Sequence, residues 1–150
     1  MVLTSILDIL RFAVEREEDA IRAYGDLAQS AVDPVVRTLL LELQVEEKNH
    51  KRLLLNVIEG KAEALEIPKV EDLMLSDYLI AEPLDAASNI QEYLIFAAKK
   101  EALAAELYTR QRDATSDPEL RRLFAFLIQQ EMAHKLKLET EYEKQVLQED

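Results

Sequence analysis

The chain contains two histidines, and each has a glutamate three positions earlier: Glu47-Lys48-Asn49-His50 and Glu131-Met132-Ala133-His134. On a helix, residues at i and i+3 share a face, so each pair presents a carboxylate and an imidazole in one direction. Two further glutamates, Glu17 and Glu101, stand where a helix would otherwise show apolar residues. Carboxylate oxygen and imidazole nitrogen together bind divalent first-row metals, without choosing iron over manganese or zinc. There is no cysteine. Thiolate catalysis, disulfides, iron–sulfur clusters and sulfur-ligated zinc are therefore excluded.

These residues recur at one offset. Residues 4–59 align without gaps on 88–143, with 17 of 56 positions identical at a shift of 84. Glu17/Glu101, Ala20/Ala104, Tyr24/Tyr108, Asp33-Pro34/Asp117-Pro118, Arg37/Arg121, Glu47/Glu131, His50/His134 and Lys51/Lys135 are among them. Two copies are too few for a solenoid, and they predict two similar hairpins packed as one bundle.

The elements that must carry these residues are helices. Two glycines in 150 residues, with abundant Leu, Ala, Glu, Lys and Gln, favour long helices over sheet. Asp33-Pro34 and Asp117-Pro118 each set an N-cap acceptor before a first-turn proline. Thr4 and Ser88 read as further N-caps, and Gly60 as a C-terminal stop. The predicted helices are 4–31, 34–59, 89–113 and 118–147. Leu3, Ile6, Leu10, Ala13, Glu17, Ala20, Tyr24, Leu27 and Ala31 alternate steps of three and four. So do Val36 to Val57, Ile90 to Tyr108 and Leu120 to Leu138, the periodicity of a buried stripe.

The expected fold is all-α: two repeated antiparallel hairpins joined by one long crossover, residues 60–87, in a ferritin-like four-helix bundle. A segment from Val70 to Ile80 reads as a short helix within that crossover. The whole chain, 1–150, reads as one domain.

Height along the bundle follows from the turns. Glu17 and Glu47 have their midpoint at residue 32, and Glu101 and Glu131 at residue 116, both inside predicted turns. All four carboxylates are thus expected near mid-bundle. Ionised together in a low-dielectric core they repel, and each loses hydration worth several kcal/mol. Two divalent ions would neutralise them, with His50 and His134 completing the coordination. Glu from two helices plus Glu-x-x-His from two others is the ligand pattern known from di-iron and di-manganese carboxylate proteins. The competing reading is a structural polar seam in a non-catalytic helical scaffold.

Tyr24 and Tyr108 follow Glu17 and Glu101 by seven residues in the same stripe. They read either as core packing or as hydroxyl donors that orient a carboxylate on a neighbouring helix. Arg37 and Arg121 read as turn-anchoring residues. Gly25, inside a helix, costs about 1 kcal/mol relative to Ala and points to close packing or a bulge.

The sequence resembles a rubrerythrin-type ferritin-like domain. The resemblance lies in Glu17-Glu18-Asp19-Ala20-Ile21-Arg22-Ala23-Tyr24 with Glu47-Lys48-Asn49-His50. It is repeated in Glu101-Ala102-Leu103-Ala104-Ala105-Glu106-Leu107-Tyr108 with Glu131-Met132-Ala133-His134. It implies two iron ions on Glu17, Glu47, His50, Glu101, Glu131 and His134, with Glu47 and Glu131 bridging and Glu17 and Glu101 terminal. It further implies an oxidoreductase that reduces hydrogen peroxide or oxygen in oxidative-stress defence. Rubrerythrins usually carry a cysteine-bound iron in a rubredoxin-like domain and a second glutamate on the third helix. This chain has no cysteine, and Ala104 at that position. Electrons are therefore expected from a separate donor, such as a rubredoxin-like protein. Bacterioferritin is also similar, implying iron oxidation and storage, and a manganese catalase-like enzyme is a further variant.

Charge narrows the partners. Thirty acidic against 18 basic residues give a net charge of −12, which repels phosphate backbones and anionic membranes. Nucleic acid and membrane are not expected partners. No apolar run approaches the roughly 18 residues of a span, and the N-terminus lacks the basic start of a signal peptide. A cytoplasmic protein is expected, forming a homodimer by family resemblance and by the frequency of two-fold oligomers.

Overall fold

A computed structural model describes residues 6–61 and 90–148. They form four helices: α1 (Ile6–Ser30), α2 (Pro34–Lys61), α3 (Ile90–Ala114) and α4 (Pro118–Gln148). The chain divides into two compact units, residues 1–80 and 81–150, each containing one hairpin. In the first, α2 packs on α1; in the second, α4 packs on α3.

Each hairpin turns on three residues closed by side chains of its own repeat. Asp33 Oδ1 accepts from the Val35 amide at 2.8 Å, and Asp117 Oδ1 from the Glu119 amide at 2.9 Å. These bonds satisfy donors that a helix start leaves orphaned. Arg37 donates back to the Ala31 carbonyl at 2.6 Å. Arg121 donates to the carbonyls of Arg112 and Thr115, at 2.8 and 3.1 Å. Both arginines therefore tie the first turn of one helix to the end of the preceding one. They anchor turns.

The buried stripe follows the sequence periodicity closely. Ile6, Leu10, Ala13, Ala20 and Tyr24 of α1 are buried, as are Val36, Leu40, Leu43 and Leu54 of α2. Leu94, Ala97, Ala104 and Tyr108 of α3 and Leu120, Phe124, Leu127 and Leu138 of α4 match them. Removing such apolar area from water is the main favourable term in holding the helices together. Tyr108 stacks on Phe124, with ring centroids 6.2 Å apart, so one aromatic pair joins α3 to α4 above their turn.

Some expectations are corrected. Ala28, not Leu27, takes the last buried place on α1, because a four-residue step from Tyr24 keeps it on the inner face. Ile90 and Val57, at the outer ends of the stripes, are only half-buried. Gly60 does not stop α2, which continues to Lys61, and no described glycine takes the positive φ of a helix-ending glycine. The Thr4 and Ser88 caps and the Val70–Ile80 helix lie outside the described residues, as does the crossover from residue 62 onward.

Gly25 answers to close packing. The Gln44 side chain crosses it to donate to the Ile21 carbonyl at 3.0 Å, and a Cβ on Gly25 would stand 2.5 Å from the Gln44 amide nitrogen. Helix α1 runs through without a bulge.

Candidate metal centre

In the first hairpin, α1 supplies Glu17 and α2 supplies Glu47 and His50. The turn at 31–33 sets 17 and 47 at equal distances from its centre, so the two carboxylates meet across the helix pair. Each of the three residues offers a donor atom within 4.8 Å of those of the other two. His50 Nδ1 lies 3.7 Å from both Glu17 Oε2 and Glu47 Oε2. A buried arginine joins them: Arg16 Nη1 donates to Glu17 Oε1 at 2.8 Å and to Glu47 Oε2 at 3.3 Å.

The second hairpin repeats the triad. Helix α3 supplies Glu101, and α4 supplies Glu131 and His134, again with donor atoms within 4.8 Å of one another. His134 Nδ1 lies 3.6 Å from Glu101 Oε2. All six side chains are at most 2% exposed.

The donor set fits divalent metal. Ligand atoms held roughly 2.0–2.2 Å from one ion stand about 3–4 Å from each other. The histidine–carboxylate separations fall in that range and exceed hydrogen-bond length. Four buried carboxylates with two imidazoles are costly in a dry core unless cations meet them. An arrangement that gathers oxygen and nitrogen donors and no sulfur suits iron, manganese or zinc.

Tyr24 and Tyr108 are buried, at 3% and 0% exposure, in the stripes that carry Glu17 and Glu101. Two residues escaped the sequence reading. Arg16 is 4% exposed, and its signal is the Ile9–Phe12–Arg16 spacing, a second edge of the same inner face. Gln111 is fully buried, three residues beyond Tyr108, with neither side-chain amide atom hydrogen-bonded among the described residues. Its repeat counterpart is Leu27, so the repeat itself concealed it.

Comparison with known proteins agrees with this geometry. Residues 8–142 match the rubrerythrin family model. None of the curated proteins matches the chain. A Thermotoga maritima protein assigned as a ferritin-like diiron-carboxylate protein superposes with a TM-score of 0.80. It is 19% identical, over 97% of this chain and 99% of that one. A hypothetical protein from Pyrococcus furiosus superposes with a TM-score of 0.71 at 24% identity, over 93% of this chain and 89% of that one. At such identities the likeness shows the fold, which is ferritin-like, all-α and built from two repeated hairpins. No helix among the described residues is long and apolar enough to cross a membrane.

Proposed function

The chain belongs to the rubrerythrin family, and on that premise we propose that it is a dinuclear iron oxidoreductase that reduces hydrogen peroxide or oxygen. The observation that carries the reading is the pair of buried Glu–Glu–His triads, one per hairpin, matched residue for residue at an offset of 84. Glu17, Glu47 and His50 would hold one ion and Glu101, Glu131 and His134 the other. Glu47 and Glu131, which share a helix with the histidines, are the proposed bridges.

Two adjacent iron ions, when bound, supply one electron each to the cleavage of an O–O bond. The chain's own residues do the rest. Glu17 and Glu101 on α1 and α3 supply terminal carboxylates whose rotation can follow a change of charge at the centre. Tyr24 and Tyr108 are the proposed hydroxyl donors that orient those carboxylates. The aliphatic stripe above and below excludes water and sharpens every electrostatic contact within it. Ala104, 2% exposed, stands where the family usually has another carboxylate, so neither repeat adds a further acid at that step.

A separate electron donor, a cytoplasmic location and a homodimeric state belong to the same proposal. The test is metal content per chain on protein purified anaerobically, wild type beside Glu47→Ala/Glu131→Ala, followed by stopped-flow mixing of the ferrous protein with peroxide. About two metals per chain, lost in the variant, with peroxide oxidation faster than for free ferrous ion, is the expected outcome. Uptake far beyond two irons per chain would favour the storage reading. Absence of metal after reconstitution would leave only the fold.

A further inference from the structure

Two groups reach the carboxylates of the first triad. A buried guanidinium is one: Arg16 Nη1 donates to Glu17 Oε1 at 2.8 Å and to Glu47 Oε2 at 3.3 Å. The imidazole is the other, with Nδ1 3.7 Å from Glu17 Oε2 and from Glu47 Oε2. Glu17 is thus divided between them. Its Oε1 is bonded to the arginine, and its Oε2 faces the histidine. An ion seated beside His50 can take Oε2 and leave the 2.8 Å contact whole. Glu47 offers the same oxygen to both groups, but a carboxylate oxygen has two lone pairs and can accept a hydrogen bond while it binds a cation. The Arg16 side chain is 5% exposed. Drawn off these carboxylates, so buried a guanidinium would keep the desolvation cost of its charge and lose both contacts. A planar fork bonded to carboxylates on two helices is suited to staying.

We propose that Arg16 remains on these carboxylates when metal is bound and acts as a positioning residue. It turns Glu17 Oε2 toward the ion and raises that ion's reduction potential. This inference rests on the reading of Glu17, Glu47 and His50 as ligands, and it adds the charge outside them that tunes their metal. A hydrogen bond to a ligating carboxylate orients it and alters what it donates. The guanidinium also stands one ligand away from the ion, in surroundings that screen it little. A fixed positive charge there opposes the ferric form more than the ferrous one. Arg16 therefore favours the gain of one electron at this position, supplied by the separate donor, and a weaker reductant suffices to restore the ferrous form.

The test has two parts. The first is a crystal structure of the full chain loaded with Mn(II). Arg16 Nη1 is expected within hydrogen-bond distance of Glu17 Oε1, with Oε2 on the ion. An arginine swung off both carboxylates would overturn the inference while leaving the ligand reading intact. The second is a mediated redox titration of iron-loaded protein, wild type beside Arg16→Gln, followed by absorbance and electron paramagnetic resonance. The variant is expected to lower the reduction equilibrium constant by about tenfold, the scale of a charge-assisted contact, or roughly 59 mV for a one-electron couple. A merely structural role would change the melting temperature without this directed fall, so an unchanged or raised potential also overturns the inference. Failure of wild type to bind Mn(II), Fe(II) or Zn(II) would overturn the ligand reading and the inference together. If Arg16→Gln does not fold or load, the wild-type structure still decides whether the arginine stays.

Discussion

His134 Nδ1 stands 3.6 Å from Glu101 Oε2, a contact between α4 and α3 made at mid-helix, well away from their turn. The same relation holds in the first hairpin, where His50 Nδ1 is 3.7 Å from Glu17 Oε2. Both helix pairs are therefore set in one register, with an imidazole facing the partner helix's carboxylate. Neither helix gains stability from a buried carboxylate by itself. A register kept twice around such a group is what a ligand set requires.

If the triads hold metal, binding must stabilise the fold. At free metal about a hundredfold above the dissociation constant, linkage contributes roughly 2.7 kcal/mol. For a chain of this size that is expected to raise the melting temperature by about 5–10 °C. Calorimetric scans with Fe(II), Mn(II) or Zn(II) should show the rise in wild type and none in Glu47→Ala/Glu131→Ala. A wild-type curve indifferent to all three metals would support the scaffold reading.

Arg16 ties Glu17 to Glu47: its Nη1 donates to Glu17 Oε1 at 2.8 Å and to Glu47 Oε2 at 3.3 Å, and the residue is 4% exposed. Glu17→Leu is therefore expected to lower metal-free stability by about 1–3 kcal/mol, because it leaves a buried guanidinium with a carboxylate fewer. Denaturant titration of the variant after chelation measures the loss; a gain in stability would contradict the compensating role of Arg16.

Much of this site was legible before the structure, and the reason is geometric. In an antiparallel hairpin, height depends only on distance from the turn, and the observed turns at 31–33 and 115–117 centre on the midpoints of Glu17/Glu47 and Glu101/Glu131. The turns were legible because Asp-Pro encodes an N-cap and a first-turn residue chemically. Arg16 was not, since an arginine one position off the stripe ordinarily extends to solvent. Here the width of the inner face and two nearby carboxylates draw it in. The misplacement of Leu27 has a simpler cause: steps of three and four after Tyr24 differ by one residue, and the pattern alone does not choose.

Gln111 offers a test of the core apart from metal. Its amide is fully buried and neither polar atom is hydrogen-bonded among the described residues, a desolvation cost of about 1–3 kcal/mol. Leucine has a similar volume and occupies the counterpart position in α1. Gln111→Leu is expected to stabilise the protein by about 1–2 kcal/mol without altering metal uptake. Denaturant unfolding with unchanged slope would confirm it; destabilisation would mean that the amide is bridged by ordered water whose bonds exceed that cost.

Gly25 and Gln44 form a pair whose coupling has a defined sign. Alanine at 25 would favour helix by about 1 kcal/mol, yet its Cβ would meet the Gln44 amide nitrogen at 2.5 Å. That amide is the flexible end of a side chain and can swing away, at the loss of its bond to the Ile21 carbonyl. A typical bond of that kind contributes about 1 kcal/mol, so the two effects nearly cancel and Gly25→Ala alone should be close to neutral. In a Gln44→Ala background there is no amide to displace, and the same change should stabilise by its full helix propensity. A double-mutant cycle on thermal or denaturant unfolding therefore expects a coupling of about 1 kcal/mol. Additive effects would show that the glycine is kept for some other reason than the passage of Gln44 across α1.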